Sequence, residues 1–378
     1  MDIKQTAFKT QFDGKLCYTH ARAAIREDGF GVLTTQPLRL TGCDVFYGMY
    51  ISTTHDFGNS WSPLLPSKNL VRQRLDNGLE IAMCDATPMF HKKSGKLLLI
   101  GHYAAYLNDE LAPEPRIRQT TYSVFDEKTG DFSPFKILTM PNDENETFFS
   151  CGNGCGQSLE LPGGELLIPI YHENKKQAAD SWNSCSTVSV LRCSFDGENI
   201  NLLEIGAPLT IDIPRGLGEP SVVKYNNEYI LALRNDKSGY VSKGSDGLNY
   251  SPALPLSFDN GENAGNYCTQ QHWITGGGKL YMVYTRKNAD NDHVFRHRAP
   301  LFIAEFDTER MCLIRESEKI AVPNRGARLG NFGCHSMPDG KNAYVIASEW
   351  MQSISGKDWK YCMEFGSDNS IFISHITF

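Results

Sequence analysis

The chain has 378 residues, of which 21% are charged and 11% aromatic, and its formal net charge is −7. This length suits two ordinary domains or one large repeat protein. The acidic balance argues against a duplex-binding surface, so we expect no nucleic-acid partner. No stretch approaches the roughly 20 apolar residues of a membrane helix, so we expect no membrane span.

Short β-prone runs, separated by Gly, Asn, Asp and Pro, predict an all-β chain. A unit of strand, turn and strand recurs about every 50–60 residues. Its first strands fall at 21–25, 87–91, 157–161, 221–224, 270–274 and 333–337. Each unit is too small to bury its own face, so six units predict a six-bladed β-propeller that forms a single domain over residues 1–378.

The N-terminal residues 4–12 are expected to supply an outer strand beside 371–378, because this pairing would close the ring and remove an exposed sheet edge. Seven blades are the alternative, if 196–213 or 359–366 holds further strands.

Residues 216–250 contain the clearest unit. Two β-prone runs flank 225–228, whose Asn pair predicts a tight hairpin turn. Glu219 precedes the first run and Arg234 follows the second. Because the strands of a hairpin run antiparallel, we expect this carboxylate and this guanidinium to meet at one rim of a sheet.

Cysteine usage and the first residues bear on the compartment. The 11 cysteines lie scattered in strand-like contexts, which is typical of buried thiols in a reducing compartment. The start, MDIKQTAFKTQF, lacks the apolar core of a secretory signal. We expect a cytoplasmic protein, or a secreted one whose signal has been removed. Cys151 and Cys155 have no second pair at zinc spacing, so we expect no metal and no other cofactor.

Residues 54–61, THDFGNSW, match the pattern Ser/Thr-x-Asp-x-Gly-x-x-Trp. Asp56 can cap the amides of a tight turn, Gly58 can take a positive φ, and Trp61 can pack beneath the hairpin. The motif resembles the Asp-box, or BNR repeat, of sialidases and related propellers. We expect it to have a structural role.

A degenerate copy of this motif is expected at 243–250, with Ser245 in the Asp position and Tyr250 in the Trp position.

Other stretches extend the resemblance to the sialidase (neuraminidase) superfamily. Residues 163–171, GGELLIPIY, are similar to a sialidase stretch that ends in Pro-x-Tyr. Glu219-Pro and Arg234 resemble the stretch that carries the family's buried Glu and one of its three carboxylate-binding arginines. Arg298 falls where another of the three is expected. Arg22 falls at the place of the first, although the usual Arg-Ile-Pro triplet is absent.

Asp44 falls near the family's general acid. The family's nucleophile is a Tyr in the last blade, and 328–333 puts Phe332 in that place. Phenylalanine has no hydroxyl and cannot form a covalent glycosyl intermediate. The layout also resembles propeller enzymes that cleave L-rhamnose linked to glucuronic acid, and that resemblance implies reliance on a histidine.

Three arginines from three blades can converge at the axis of a propeller. Arg22, Arg234 and Arg298 could therefore bind the carboxylate of a sialic or uronic acid, because a planar guanidinium binds a carboxylate bidentately. The alternative is that they form salt bridges between blades or at the surface.

Histidines at blade starts are the candidates for moving a proton. His20 shares a rim with Arg22, and His272 follows Gln270 and Gln271 at the start of the fifth blade. The glutamines are candidates for hydrogen bonds to a sugar. A structural role is the alternative for each histidine.

For hydrolysis, two carboxylates that flank the glycosidic bond are the common solution. Asp44 and Glu219 could provide them, as could Asp85, with turn capping as the alternative for both aspartates. We predict a sialidase-like exo-glycosidase, a glycoside hydrolase that acts on a terminal anionic glycan. The alternatives are a polysaccharide lyase of the rhamnose–glucuronate type that uses a histidine, and a non-catalytic propeller that binds anionic glycans.

Overall fold

The structure is a computed structural model, which describes residues 1–40 and 44–378. In this part of the chain the strands form six separate sheets, and strands that follow one another within a sheet pair antiparallel. Helices are short: Lys175–Ala179, Lys360–Met363 and the 3-10 turns Phe295–His297 and Arg315–Ser317. None of them is long and apolar enough to cross a membrane. The prediction of an all-β propeller is confirmed.

The first three sheets follow the chain order. Sheet 1 contains Leu16–Ile25, Gly31–Arg39, Tyr50–Thr54 and Leu65–Pro66. Sheet 2 contains Gln73–Arg74, Glu80–His91, Lys96–Leu107, Glu110–Leu111, Thr120–Asp126, Asp131–Phe132 and Lys136–Ile137. Sheet 3 contains Ser150–Gly152, Leu159–Glu160, Leu166–Glu173, Thr187–Phe195 and Ile200–Ile205.

The last three sheets complete the set. Sheet 4 contains Gly218–Tyr225, Glu228–Arg234, Gly239–Gly244 and Leu254–Pro255. Sheet 5 contains His272–Gly276, Lys279–Tyr284, Leu301–Asp307, Cys312–Leu313 and Lys319–Val322. Sheet 6 contains Gly333–Ser336, Asn342–Ser348, Ile371–Thr377 and the N-terminal strand Asp2–Phe8.

The two ends of the chain pair with each other, as the sequence predicted. Asp2 lies opposite Thr377 and Phe8 opposite Ile371 in an antiparallel register. The hairpin predicted in sheet 4 is present too, with Tyr225 opposite Glu228 and both turn asparagines at positive φ.

The hydrophobic core is divided into layers between neighbouring sheets. Ala24 and Val32 of sheet 1 pack with Ile81 and Met83 of sheet 2, and each later sheet shares a similar layer with the next one. A sixth layer joins sheet 6 back to sheet 1. A seventh cluster joins residues of sheets 1 and 2, such as Cys17 and Ala82, with Trp350, which follows Asn342–Ser348.

The Asp-box turn lies on the outside of sheet 1. The Asp56 carboxylate accepts hydrogen bonds from the Ser60 amide at 2.9 Å and the Ser60 hydroxyl at 2.6 Å. The Trp61 indole N–H donates to the Gly58 carbonyl at 3.1 Å. These contacts are internal to the turn, which is consistent with the structural role expected from the sequence.

In the second turn, at 243–250, the aromatic residue makes the corresponding hydrogen bond. The Tyr250 hydroxyl donates to the Gly247 carbonyl at 3.1 Å. Its capping carboxylate, however, is Asp246, which accepts from the amides of Leu248 and Asn249. The assignment of Ser245 to the Asp position was therefore wrong by one residue, because the spacing between acid and glycine is shorter here.

Candidate functional site

One residue in each sheet adopts a left-handed backbone at, or just before, the innermost strand. These six residues, which we call the axial ring, have φ between 43° and 68°; they are His20, Asp85, Cys155, Glu219, Cys268 and Asn331. In sheets 1, 2 and 4 the strand register shifts at this point. Non-glycine residues in this conformation are uncommon and cluster at functional sites.

Direct contacts join four members of the ring around Asp85. Asp85 Oδ1 lies 2.9 Å from His20 Nδ1 and 3.0 Å from Cys155 Sγ. On the far side of His20, the Asn331 amide contacts Nε2 of the imidazole. A second histidine, His102 from the neighbouring strand of sheet 2, places Nε2 3.3 Å from Asp85 Oδ2.

Asp85 is ionised in this environment. Burial raises the pKa of the Asp85 carboxyl, but the charges and hydrogen bonds of His20 and His102 outweigh burial and hold the pKa well below its usual range. Burial lowers the pKa of His20, and the Asp85 charge opposes that change only in part. The arrangement is therefore a partly buried carboxylate held by imidazoles from two sheets.

Guanidinium groups bridge the other half of the ring. Arg234 forms an ion pair with Glu219 and donates to Asp236 at 3.0 Å. It also lies 3.5 Å from Cys268 Sγ. Arg298 donates to the Cys268 carbonyl from one terminal nitrogen.

Unlike Arg234, Arg298 forms no ion pair with a described residue. Its side chain is 3% exposed, and its Nε has no hydrogen-bond partner among residues 1–40 and 44–378. No described carboxylate lies within 4.0 Å of its guanidinium. Burial, together with the neighbouring charge of Arg234, lowers the pKa of Arg298.

A third group of polar side chains lies where sheet 2 meets sheet 3, with Arg118 just before Thr120–Asp126 and Tyr171 and Glu173 in Leu166–Glu173. Arg118 donates to the Tyr171 hydroxyl at 3.1 Å and lies 3.6 Å from the Glu173 carboxylate. Burial raises the pKa of Tyr171 well above its usual range. The phenol therefore keeps its proton, and because its oxygen already accepts from Arg118, the O–H is available as a donor.

Members of all three groups line one cavity of about 360 Å³. Its wall includes seven arginines and six acidic residues, although the whole chain is acidic. The charged and titratable lining residues are Asp44, Asp85, His102, Glu114, Arg116, Arg118, Tyr171, Glu173, Arg215, Glu219, Arg234, Asp236, Arg296, Arg298 and Arg328.

The structure brings half of the predicted site residues to this cavity. Asp44, Asp85, Glu219, Arg234 and Arg298 all line it. The other predicted residues are buried beside or beneath it and are absent from its wall: His20, Arg22, Gln270, Gln271 and His272.

The repeat explains this division. Arg22 and Gln270 each lie two residues after a member of the axial ring, so their side chains occupy the layer beneath it. Arg22 donates to the carbonyls of Asp85, Ala86 and Phe332 and so ties three sheets together. Gln270 likewise packs on the backbone of Phe332.

His272 lies deeper still. Its Nδ1 is 2.8 Å from the Ser221 hydroxyl, and burial lowers its pKa to about 3. Its ring packs edge-on against Phe332, which is fully buried, so this phenylalanine does not face the cavity either. The neighbouring Trp273 is 0% exposed and offers no platform for a sugar.

Sequence reasoning missed three residues: His102 and Tyr171, which lie in the strands Lys96–Leu107 and Leu166–Glu173, and Arg118, which lies just before Thr120–Asp126. The glycines of 151–156, CGNGCG, were one signal in the sequence for the position of His102. A Cβ at Gly154 would lie 2.1 Å from His102 Cε1, and one at Gly152 would lie 2.7 Å from His102 Cβ. The two glycines are therefore required by the close approach of a histidine.

Cys84, Asp85 and His102 could hold a metal ion, since their ligand atoms lie within 4.8 Å of one another. Burial raises the pKa of the Cys84 thiol well above its usual range. A thiolate-binding metal would first have to displace that proton.

The chain resembles solved β-propellers at identities that show the fold alone. A protein of unknown function from Dyadobacter fermentans DSM 18053 has a TM-score of 0.68 and 13% identity, over 99% of each chain. Trypanosoma rangeli sialidase has a TM-score of 0.64 and 10% identity, over 99% of this chain and 58% of that one. The Hadza microbial sialidase Hz136 has a TM-score of 0.59 and 12% identity, over 96% and 66%. The chain thus spans less than two thirds of either sialidase.

No family model matches the chain, and no curated protein matches it.

Proposed function

We propose that this protein is a carbohydrate-active enzyme of the sialidase-like class, built as a single six-bladed propeller. It would act on the terminal sialic or uronic acid of a glycan, and a carboxylate of that sugar would bind at Arg298. The proposal rests on one observation, the buried Arg298 guanidinium that has no described anionic partner in the cavity wall.

An unpaired buried charge is expensive, and buried charges in proteins are normally paired. Arg298 lies beside Arg234, a second cation, which makes the uncompensated charge harder to hold. A ligand carboxylate would remove this imbalance, since the guanidinium fork matches its two oxygens. The positive charge of Arg298 in the cavity wall would then be balanced only when substrate is bound.

The cavity also suits a sugar in size and in polar groups. About 360 Å³ lies within the range of small-molecule sites. Charged groups and the Tyr171 hydroxyl give donors and acceptors for the hydroxyls of a pyranose. The fold supports the same conclusion, since Trypanosoma rangeli sialidase was solved in complex with sialic acid.

Hydrolysis is the reaction that the Asp85 environment supports best. The bond from the anomeric carbon to the leaving oxygen breaks, and that oxygen takes a proton from an acid, for which Asp44 at the cavity is our candidate. The Asp85 carboxylate, ionised by its two histidines, would face the positive charge that develops at the anomeric carbon. Water then adds its oxygen to that carbon and returns a proton to Asp44.

Elimination from a uronate is the second candidate, and the contact between His102 and Asp85 favours it. The Asp85 carboxylate holds the His102 imidazole in place at the cavity wall. His102 would take the proton next to the carboxylate, a carbon–carbon double bond would form, and the leaving oxygen would depart with a proton from Tyr171. His20 and His272, the bases expected from the sequence, are less suitable because neither lines the cavity.

The test is an activity assay on oligosaccharides that end in sialic acid, glucuronic acid or a neutral sugar. We expect turnover only with an acidic end, and Arg298→Met should reduce kcat/KM about 10–100-fold, the effect of one charged hydrogen-bonding group. Arg298→Lys should not restore it. Arg192→Met is the matched control, because Arg192 pairs with Glu165 and Glu204 away from the cavity.

The ultraviolet spectrum of the products separates the two reactions, since only elimination leaves an unsaturated uronate that absorbs. Equal rates on neutral glycans would contradict the proposed substrate. Tight binding of acidic glycans with no product would instead indicate the non-catalytic binding propeller.

A further inference from the structure

Trp182 is the most exposed of the large apolar side chains in the described part of the chain, at 64%, and it lies on the cavity wall. It sits in the connection between Leu166–Glu173 and Thr187–Phe195 of sheet 3. Ile117, on a connection of sheet 2, is also exposed and lines the same cavity. An apolar surface beside a charged cavity marks a place where a ligand extends beyond it.

The connection that carries Trp182 is held in place. Asn174 and Gln177 form a reciprocal capping box around the helix Lys175–Ala179. The Gln177 side chain donates to the Cys185 carbonyl at 2.9 Å. At the base, the buried Glu173 accepts from the hydroxyls of Ser184 and Ser186. The indole is therefore presented by a fixed segment.

One face of the indole is already covered by a cation. The Arg215 guanidinium carbon lies 4.9 Å from the indole ring centre, and Arg215 donates to the Ser181 carbonyl at 2.8 Å. Arg215 also lies 3.5 Å from Asp236, which accepts from Arg234. Contacts thus connect Trp182, through Arg215 and Asp236, with Arg234 of the proposed carboxylate site.

We infer that Trp182 forms a second sugar subsite, in which the ring next to the terminal acid stacks its C–H face on the indole. This inference rests on the proposed function, because it assigns the inner cavity to the terminal sugar. Exposed rings with a polar edge, such as indole, bind amphipathic partners well. The substrate would then be an oligosaccharide of at least two sugars, with the cleaved bond between cavity and indole.

Calorimetric binding measurements test this with two ligands, a free sugar acid and the disaccharide in which the same acid is terminal. We expect Trp182→Ala to weaken the disaccharide about ten-fold, the scale of one aromatic stacking contact, and to leave the free acid unchanged. Trp182→Phe should retain part of the preference. Phe57→Ala is the control, since Phe57 is exposed on the outer Asp-box turn.

Equal disaccharide affinity in the wild-type and Trp182→Ala proteins would overturn the subsite. The same measurements distinguish a wrong subsite from a wrong proposed function. If the wild-type protein prefers acids but Trp182→Ala changes nothing, the subsite alone is refuted. If neutral and acidic disaccharides bind equally, and both depend on Trp182, the carboxylate site is refuted and the stacking subsite stands.

Discussion

Two aspartates of this protein, Asp56 in the outer turn and Asp85 in the axial ring, are both held ionised, but by different kinds of partners. Hydrogen bonds from Ser60 and Thr54 lower the pKa of Asp56 to about 2. Those hydroxyls and amides do not titrate near neutral pH. Asp85 instead contacts two imidazoles and a thiol, groups that can exchange protons. From the nature of these partners we propose a structural role for Asp56 and a chemical role for Asp85.

The outer turns and the axial ring also differ in which residue types occupy their left-handed backbone positions. The outer turns place glycine at a left-handed position, with φ of 80° at Gly58 and 82° at Gly247, and Phe57, at 59°, is the one non-glycine residue beside them among the described residues of these turns. The axial ring uses no glycine at any of its six left-handed positions. Each such residue costs on the order of 1–3 kcal/mol. The ring keeps its side chains in spite of that cost, as expected where the side chains have a function.

The largest effect is expected from Asp85→Asn. The amide keeps the shape but removes the charge that the two histidines hold in place, so turnover should fall about 10²–10⁴-fold. Steady-state kinetics on an acidic oligosaccharide measure it, with thermal unfolding as a check on folding. Asp56→Asn is the paired control and should leave turnover unchanged. An equal loss in both variants would remove the distinction between the two aspartates.

Gly154→Ala tests whether the position of His102 matters. A Cβ 2.1 Å from the imidazole must push the ring away from Asp85. A shift near 1 Å at a catalytic group can reduce turnover about 10²-fold. Gly163→Ala is the matched control, because a Cβ there meets nothing within 4 Å. Full activity in Gly154→Ala would show that the contact between His102 and Asp85 is dispensable.

Glu349 sharpens the comparison, because it is more deeply buried than Asp85 and has no histidine partner among the described residues. It is 1% exposed, accepts from the amides of Asp368 and Ser370, and lies 3.3 Å from Arg325. Burial nevertheless raises its pKa to about 7.

Between pH 4.5 and 7 the folded chain then holds a proton that the unfolded chain has lost. Stability should therefore fall as the pH rises through this window, by about 3 kcal/mol from this group. Urea unfolding at several pH values measures the decline. Glu349→Gln should flatten it, and a slope identical to the wild-type slope would show that Glu349 is ionised throughout.

The smallest effect is expected from Asp56→Ala. Loss of a capping carboxylate should reduce the free energy of unfolding by about 1 kcal/mol. Turnover should remain at the wild-type level, since the turn is outside the cavity. A variant with normal stability but lost turnover would contradict the structural role of the turn.

The sequence predicted those parts of the fold that depend on local signals. The Asn pair at 226–227 specified the sheet 4 hairpin, and alternating strands with a repeat specified the propeller. Glu219 and Arg234 were predicted to meet because a hairpin fixes which ends are adjacent, and they form an ion pair.

The rest of the site depends on register, which one sequence does not reveal. Arg22 and His20 are two residues apart, yet the left-handed backbone at His20 decides which layer each occupies. His102 and Tyr171 lie within or at the end of regular strands, where either face could point to the axis. When the six units are superposed on their left-handed residues, Cys155, Cys268 and Asn331 take the same place as Asp85 and Glu219. That comparison adds these three residues to the candidates.

The most direct test of the carboxylate site compares a sugar acid with its carboxyl-reduced counterpart, such as glucuronic acid with glucose or sialic acid with its alcohol, by calorimetry. The unpaired charge of Arg298 predicts that an acid binds about 10–100-fold more tightly than its reduced form, and that Arg298→Met abolishes the difference. Equal affinity of the wild-type protein for the acid and its reduced form, in both pairs, would contradict it.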